Sequence, residues 1–180
     1  MNRADLSAAL CQAELVHDRT AIERAILRMG EEISTALVNQ ATPIFLTVMN
    51  GGLVFAGTLA LGIKTDIEFD YLHATRYRGS TAGGELHWLS KPKLALGGRL
   101  IILVDDILDE GHTLKAVRDY CTNQGAARVL VAVLCEKEHG RCVAGIKADF
   151  VGLKVPDKYV FGYGMDYYEQ GRNLPGIYAV

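Results

Sequence analysis

Apolar positions recur along this chain in two rhythms. Between residues 20 and 37, Ile22, Ile26, Met29, Ile33 and Leu37 fall at helical spacing and predict a helix with one buried face. Thr20 with Glu23 three residues later fits a capping box at its start, and Pro43 marks its stop. Another helix is expected ahead of it. Elsewhere the apolar runs are short and continuous, at 44–49, 67–75, 100–104 and 128–135, and predict buried strands. Residues 53–61 and 113–123 read as helices between them, the latter ending near Gly125.

Strands alternating with helices across short turns predict an α/β fold, a parallel twisted sheet flanked by helices. Residues 76–91, rich in Gly, Ser and Thr at their centre, predict a mobile excursion from it. The tail DFVGLKVPDKYVFGYGMDYYEQGRNLPG is dense in Gly, Pro and Tyr and predicts a small cap of short strands and turns. With no repeat or linker in 180 residues, one domain over 1–180 is expected. Ligands of parallel α/β sheets sit beyond the carboxyl ends of the strands. Three loops leave such ends with unusual chemistry: 50–52, 105–113 and 136–141.

Composition narrows the functional classes. Hydrophobic content of 49% with 22% charged residues excludes a disordered chain. A net charge of −2 gives no general attraction to nucleic acid or to anionic membranes, so any phosphate binding must be local. Neither a membrane-spanning run nor a secretory signal is expected. Cys11, Cys121, Cys135 and Cys142 show no CxxC spacing, which predicts reduced thiols and a cytoplasmic protein.

Residues 101–113, IILVDDILDEGHT, carry the densest chemistry. Four apolar residues run into Asp105 and Asp106, and a short acidic turn ends in Gly111, His112 and Thr113 before a helix. The N–H groups of such a turn and helix start can hold a phosphate. Vicinal carboxylates suit the cis hydroxyls of a ribose, directly or through Mg²⁺. No GxxxxGK[ST] occurs, and a turn carrying Asp106, Asp109 and Glu110 needs a metal or hydroxyls beside any polyphosphate. Asp109 suits a general base or a stabiliser of positive charge on a sugar ring, and equally a helix cap or dipole partner. Gly111 permits a positive φ or a close approach. Thr113 offers a hydroxyl and a cap, and His112 a donor within the phosphate turn.

The remaining candidates read more plainly on their own. Asn50-Gly51-Gly52 exposes N–H groups suited to a second anion, or is simply a turn. Lys137, among glutamates, reads as a solvated surface residue. Tyr159 stacks on a planar ligand or packs in the core. Asp166 is a metal acid or a turn former, and Arg172 clamps an anion or lies exposed.

Four segments, in order from about residue 44 to the C-terminus, resemble those of purine phosphoribosyltransferases of the hypoxanthine-guanine type. VDDILDEGHT resembles the ribose-phosphate motif, VMNGG the pyrophosphate loop, RYRGSTAGGEL the flexible active-site loop and VPDKYVFGYGMDYYEQGRN the base-binding cap. The resemblance implies a type I phosphoribosyltransferase fold with a small hood. It implies transfer of phosphoribosyl from phosphoribosyl pyrophosphate to hypoxanthine or guanine, with Mg²⁺, in a homodimer or homotetramer. Asp105 and Asp106 would then bind ribose hydroxyls and metal, with Asp166 bearing on a second Mg²⁺. Asp109 would face the purine imidazole nitrogens as the base, and Glu110, Gly111, His112 and Thr113 would hold the 5-phosphate. Asn50, Gly51, Gly52 and Arg172 would meet pyrophosphate. Lys137 would donate to the purine 6-oxo group, Tyr159 would stack on the ring and Val160 would offer backbone contacts.

Two positions depart from the family pattern. Asn50 stands where many relatives carry lysine, and Arg76-Tyr77 where many carry Ser-Tyr. Arg76, with Tyr77 in the catalytic loop, is expected to return the missing positive charge. A xanthine preference stays open, as does a non-catalytic nucleotide sensor on the same fold. The absence of a basic stripe counts against the sensor.

Overall fold

Residues 5–76 and 86–180 are described by a computed structural model of the chain. From the amino end come α1 (Leu6–Gln12), β1 (Glu14–His17), α2 (Arg19–Ala36), β2 (Ile44–Met49), α3 (Gly52–Leu61), β3 (Glu68–Arg76) and β4 (Leu86–Ser90). Then follow β5 (Leu100–Leu108), α4 (His112–Asn123), β6 (Arg128–Lys137), β7 (Phe150–Val155), β8 (Val160–Phe161) and β9 (Ile177–Ala179).

Six strands form the main sheet in the order β4-β3-β2-β5-β6-β7. Neighbours from β3 to β7 are parallel, and only β4 runs antiparallel, along the β3 edge. Both faces are covered, which is why the strands read as unbroken apolar runs. Phe45, Ile102, Val104 and Leu134 pack with α2 and α3, while Ile44, Leu46, Ile101 and Leu103 pack with Leu114, Val117 and Cys121 of α4. The chain winds outward from β2 through β3, then restarts at β5 and winds the other way. Strand order therefore reverses between β2 and β5, the position where such sheets open a ligand crevice.

A three-stranded hood, in the order β1-β9-β8, stands apart from this sheet. Val160, Tyr163, Met165 and Ile177 of the hood join the same apolar cluster as α2 and α3.

Several sequence expectations are corrected here. The amino-terminal region is not two successive helices: β1 lies between them and pairs with β9 to complete the hood. Asp18, not Thr20, caps α2, its carboxylate accepting from the Ala21 N–H at 2.8 Å. That helix ends at Ala36 with its cap at Leu37, well before Pro43. Residues 86–90 of the predicted excursion form the edge strand β4. β5 continues through Leu108, so Asp105 and Asp106 lie on the strand rather than in a turn. β7 joins the main sheet, which leaves the hood smaller than the Gly- and Tyr-rich tail suggests.

Candidate active site

The crevice at the strand reversal is closed by backbone contacts that only glycine permits. A Cβ at Gly51 would stand 2.0 Å from Asp106 Oδ2, and one at Gly52 would stand 3.0 Å from the Val104 carbonyl oxygen. From the hood, Gly164 at φ +105° comes so close that its Cβ would lie 2.2 Å from the Gly51 carbonyl oxygen. Loop 50–52, the carboxyl end of β5 and the hood are thereby packed together. Both helices that begin here are capped by glycine, α3 by Gly51 and α4 by Gly111, and neither has a side-chain cap. Their leading N–H groups thus lack the side-chain acceptor that Asp18 gives α2. Two such helix starts beside one acidic strand end suit two anionic groups.

Gly111 takes φ +78°, and a Cβ there would meet Ile146 Cγ2 at 2.6 Å, so both the positive φ and the close approach that its place in the turn permits are present. Glu110 sends its carbonyl to the Val143 N–H at 2.9 Å, and its carboxylate lies 3.7 Å from His112 Nε2. Thr113 follows in the first turn of α4, which has no side-chain cap, so neither Asp109 nor Thr113 serves as one.

Asp105 is only 8% exposed, and it accepts from the Asp106 N–H at 2.9 Å. Burial pushes its carboxyl well above the usual range, and the charge of Asp106 adds to this. Burial raises Asp106 as well, with Asp166 adding a further upward push, while Arg172 lowers both acids. This pair of carboxyls is short of positive charge, and its oxygen donors fit a hard divalent ion. Among the described residues no group of three or more His, Cys, Asp or Glu side chains is arranged to hold a metal alone. One or two carboxylates completed by substrate oxygens is the usual way Mg²⁺ is bound.

A stability consequence follows. A carboxyl raised on folding costs stability as pH climbs from its unfolded value towards its folded one, because the native state then binds more protons than the unfolded state. Without metal, Asp105→Asn should raise Tm at pH 8, keep the acceptor for Asp106 N–H, and gain less as pH falls towards 4. Thermal melts across that range check this, and a lower Tm at pH 8 contradicts it.

The ends of β5 and β6 meet at Asp109. Lys137 Nζ lies 2.6 Å from its Oδ2, and His139 Nε2 lies 2.6 Å from its Oδ1. Desolvation works to raise this carboxyl, but the hydrogen bonds of Lys137 and His139 and the charge of Lys137 prevail and hold it below the usual range. Lys137, the last residue of β6, is thus drawn inward and is not the solvated lysine its glutamate neighbours suggest. Beyond it, Arg141 makes a two-pronged ion pair with Asp157 at 2.7 Å on each arm, tying loop 136–141 to the base of the hood.

Arg172 pairs with Asp166 at 2.7 Å and donates to the Gly164 carbonyl at 2.8 Å, bringing both predicted residues to the hood side of the acidic pair. Tyr159 is half-exposed, edge-on to Tyr167 at 5.6 Å and parallel to Tyr168 at 6.0 Å. Val160 is buried opposite Ala179 in the hood sheet. Arg76 ends β3 opposite Leu86; its side chain and all of Tyr77 lie outside the described residues. His139 is the residue that sequence reasoning missed. Its only signal was membership of loop 136–141, since histidine spacing was weighed for metal binding alone.

The chain is similar to known proteins in both sequence and fold. Residues 12–170 match the family model described as the phosphoribosyl transferase domain. The hypoxanthine-guanine phosphoribosyltransferase of Bacillus subtilis is 36% identical over 157 residues, covering 87% of this chain and 86% of the relative. That of Streptococcus pyogenes serotype M3 is 34% identical over 165 residues, 91% of each chain. Among solved structures, a hypoxanthine phosphoribosyltransferase from Staphylococcus aureus superposes with a TM-score of 0.87 at 25% identity, covering 98% of this chain and 96% of that one. A hypoxanthine-guanine phosphoribosyltransferase from Bacillus anthracis gives 0.86 at 27% identity, covering 93% and 98%.

Proposed function

This chain belongs to the phosphoribosyltransferase family, in its hypoxanthine-guanine branch, and from that premise we propose how its own residues carry the transfer. The reaction joins the phosphoribosyl group of phosphoribosyl pyrophosphate to hypoxanthine or guanine, releasing pyrophosphate, and so serves purine salvage. The observation that supports the residue roles best is the Lys137–Asp109–His139 cluster set beside Asp105 and Asp106 at the strand reversal.

The start of α4, from Glu110 through Thr113, receives the 5-phosphate. Gly51, Gly52 and the start of α3 receive pyrophosphate, with Asn50 in the same loop and Arg172 from the hood. Asp105 and Asp106 take the ribose hydroxyls and would hold Mg²⁺, with Asp166 bearing on a second such ion. When bound, Mg²⁺ offsets the charge of the departing pyrophosphate. The bond from C1′ to pyrophosphate breaks as positive charge spreads over the ribose ring, and a purine nitrogen closes on C1′. Asp109 is held as an anion, so it accepts the hydrogen bond of the purine N–H and takes its proton as the ring becomes cationic.

Lys137 spends one ammonium hydrogen on Asp109 and keeps others for the purine. An ammonium has no acceptor, so it suits a 6-oxo group and turns a donor against a 6-amino group. Tyr159 offers a ring face to the base, and Val160 its backbone. Initial rates with hypoxanthine, guanine, xanthine and adenine, each with phosphoribosyl pyrophosphate and Mg²⁺, test this. Turnover is expected with 6-oxopurines and negligible with adenine; adenine turning over as fast as hypoxanthine removes the role given to Lys137.

Arg76 supplies the positive charge that Asn50 lacks, and Tyr77 shares its catalytic role. Arg76→Ala should raise KM for phosphoribosyl pyrophosphate or lower kcat by about tenfold, the scale of one lost charge-assisted contact. Unchanged kinetics would dispose of that role. The chain works as a homodimer or homotetramer, a reading supported by Leu53, Val54 and Leu61 exposed along α3. Four free cysteines suit a cytoplasmic setting, and among the described residues no helix is long and apolar enough to cross a membrane.

A further inference from the structure

Asp109 faces a demand that Lys137 alone meets poorly. The carboxylate must hold its direction towards the purine, yet Lys137 reaches it from a flexible four-carbon stem and has the 6-oxo group to serve as well. The second donor, His139, differs in kind. Its side chain is 4% exposed, while that of Asp109 is 41% exposed. Its Nδ1 accepts from the Arg141 N–H at 3.0 Å, which leaves the ring proton on Nε2, facing Asp109 Oδ1 at 2.6 Å. The Arg141 N–H is itself steadied, because the Arg141 guanidinium grips Asp157 with two hydrogen bonds. Every polar atom of the ring thus has one partner, and the chain of partners runs from the base of the hood to the carboxylate.

We infer that His139 is a positioning residue for phosphoribosyl transfer: as the Nε2–H tautomer set by the Arg141 backbone, it fixes the Asp109 carboxylate towards the incoming base. The inference rests on the assignment of Asp109 to the purine N–H. His139 touches neither substrate in this arrangement and acts through Asp109. The other charged or titratable groups that Asp109 feels are Lys137 from β6, and Arg141 and Cys142 from the loop beyond it.

The full-length chain with His139→Leu and His139→Gln provides the test, because Gln places an amide N–H donor near the Nε2 position and Leu has none. Expected for Leu is a fall in kcat of about tenfold, the scale of one lost charge-assisted hydrogen bond, with KM for phosphoribosyl pyrophosphate within about twofold. The acid limb of kcat should move to higher pH in Leu, since the lost donor had favoured the carboxylate. Gln should recover much of both. A ¹³C-detected titration of the Asp109 carboxyl in the unliganded chain reads the same hold without turnover, with a raised midpoint in Leu and a return in Gln. Leu matching wild type in kcat and midpoint, or Leu and Gln failing equally, overturns the inference. A wild-type chain that makes no nucleotide yet shows the expected midpoints overturns the functional reading and leaves the His139–Asp109 hold standing.

Discussion

Asp109→Asn should lower kcat by about 10²- to 10³-fold, within the range that loss of a positioned acid–base group produces, and change KM for phosphoribosyl pyrophosphate little. Two separate defects are expected from one atom change. The amide removes the negative charge that meets a cationic purine ring as the new bond forms. It also turns an N–H₂ group towards either Lys137 or His139, both of which are donors at 2.6 Å in this structure. The one amide oxygen can accept from only one of them, and the donor facing the N–H₂ group loses its acceptor. Because the carboxylate is held below its usual range, the wild-type enzyme should keep its anionic Asp109 through the neutral region. Acid loss of activity should appear only at lower pH. Steady-state kinetics with hypoxanthine over a pH series measure both points, and an Asn variant within about threefold of wild type would remove Asp109 from the chemistry.

A comparable loss is expected from Gly51→Ala, for reasons of space alone. The new methyl would lie 2.0 Å from Asp106 Oδ2 and 2.6 Å from its carboxyl carbon, so the Asp106 side chain or the loop must move. Retreat of the loop is opposed from behind by Gly164, which already crowds the Gly51 carbonyl. A displacement of about 1 Å among groups that hold reacting atoms costs about 10²-fold, so kcat/KM for phosphoribosyl pyrophosphate should fall by at least about that much. Stability should fall by about 1–3 kcal/mol, the usual cost of overpacking. Gly57→Ala is the matched control on α3. A Cβ there meets nothing within 4 Å, and a helical Gly→Ala change stabilises by about 0.5–1 kcal/mol, so activity should hold while Tm rises. Full activity in Gly51→Ala would show that the loop and the acidic strand end are not jointly required.

Much of this arrangement was legible in the order of residues. Continuous apolar runs at 44–49 and 100–104 mark strands buried on both faces, and burial on both faces is what a parallel sheet under helices requires. Gly111, between an acidic turn and a helix, allowed a positive φ or a close approach, and the structure has both. Local signals failed where a distant segment decides the outcome. β1 is four residues long and becomes a strand because β9, about 160 residues later, offers it an edge. Lys137 looks solvated beside Glu136 and Glu138 because its partner, Asp109, is 28 positions away. His139 gave still less warning, since neither its carboxylate partner nor the backbone N–H of Arg141 that sets its tautomer is visible in residue spacing. The crowding of Gly51 against Asp106 and of Gly164 against Gly51 likewise exists only once β2, β5 and the hood are assembled.

Nucleotide formation followed by ³¹P NMR tests the central claim most directly. The wild-type chain is incubated with hypoxanthine, phosphoribosyl pyrophosphate and Mg²⁺, and the phosphorus products are followed together. Transfer at this site predicts pyrophosphate and purine nucleotide appearing in equal amounts, both absent when the base is withheld. Pyrophosphate released at the same rate without base, or no consumption of phosphoribosyl pyrophosphate at all, would contradict it.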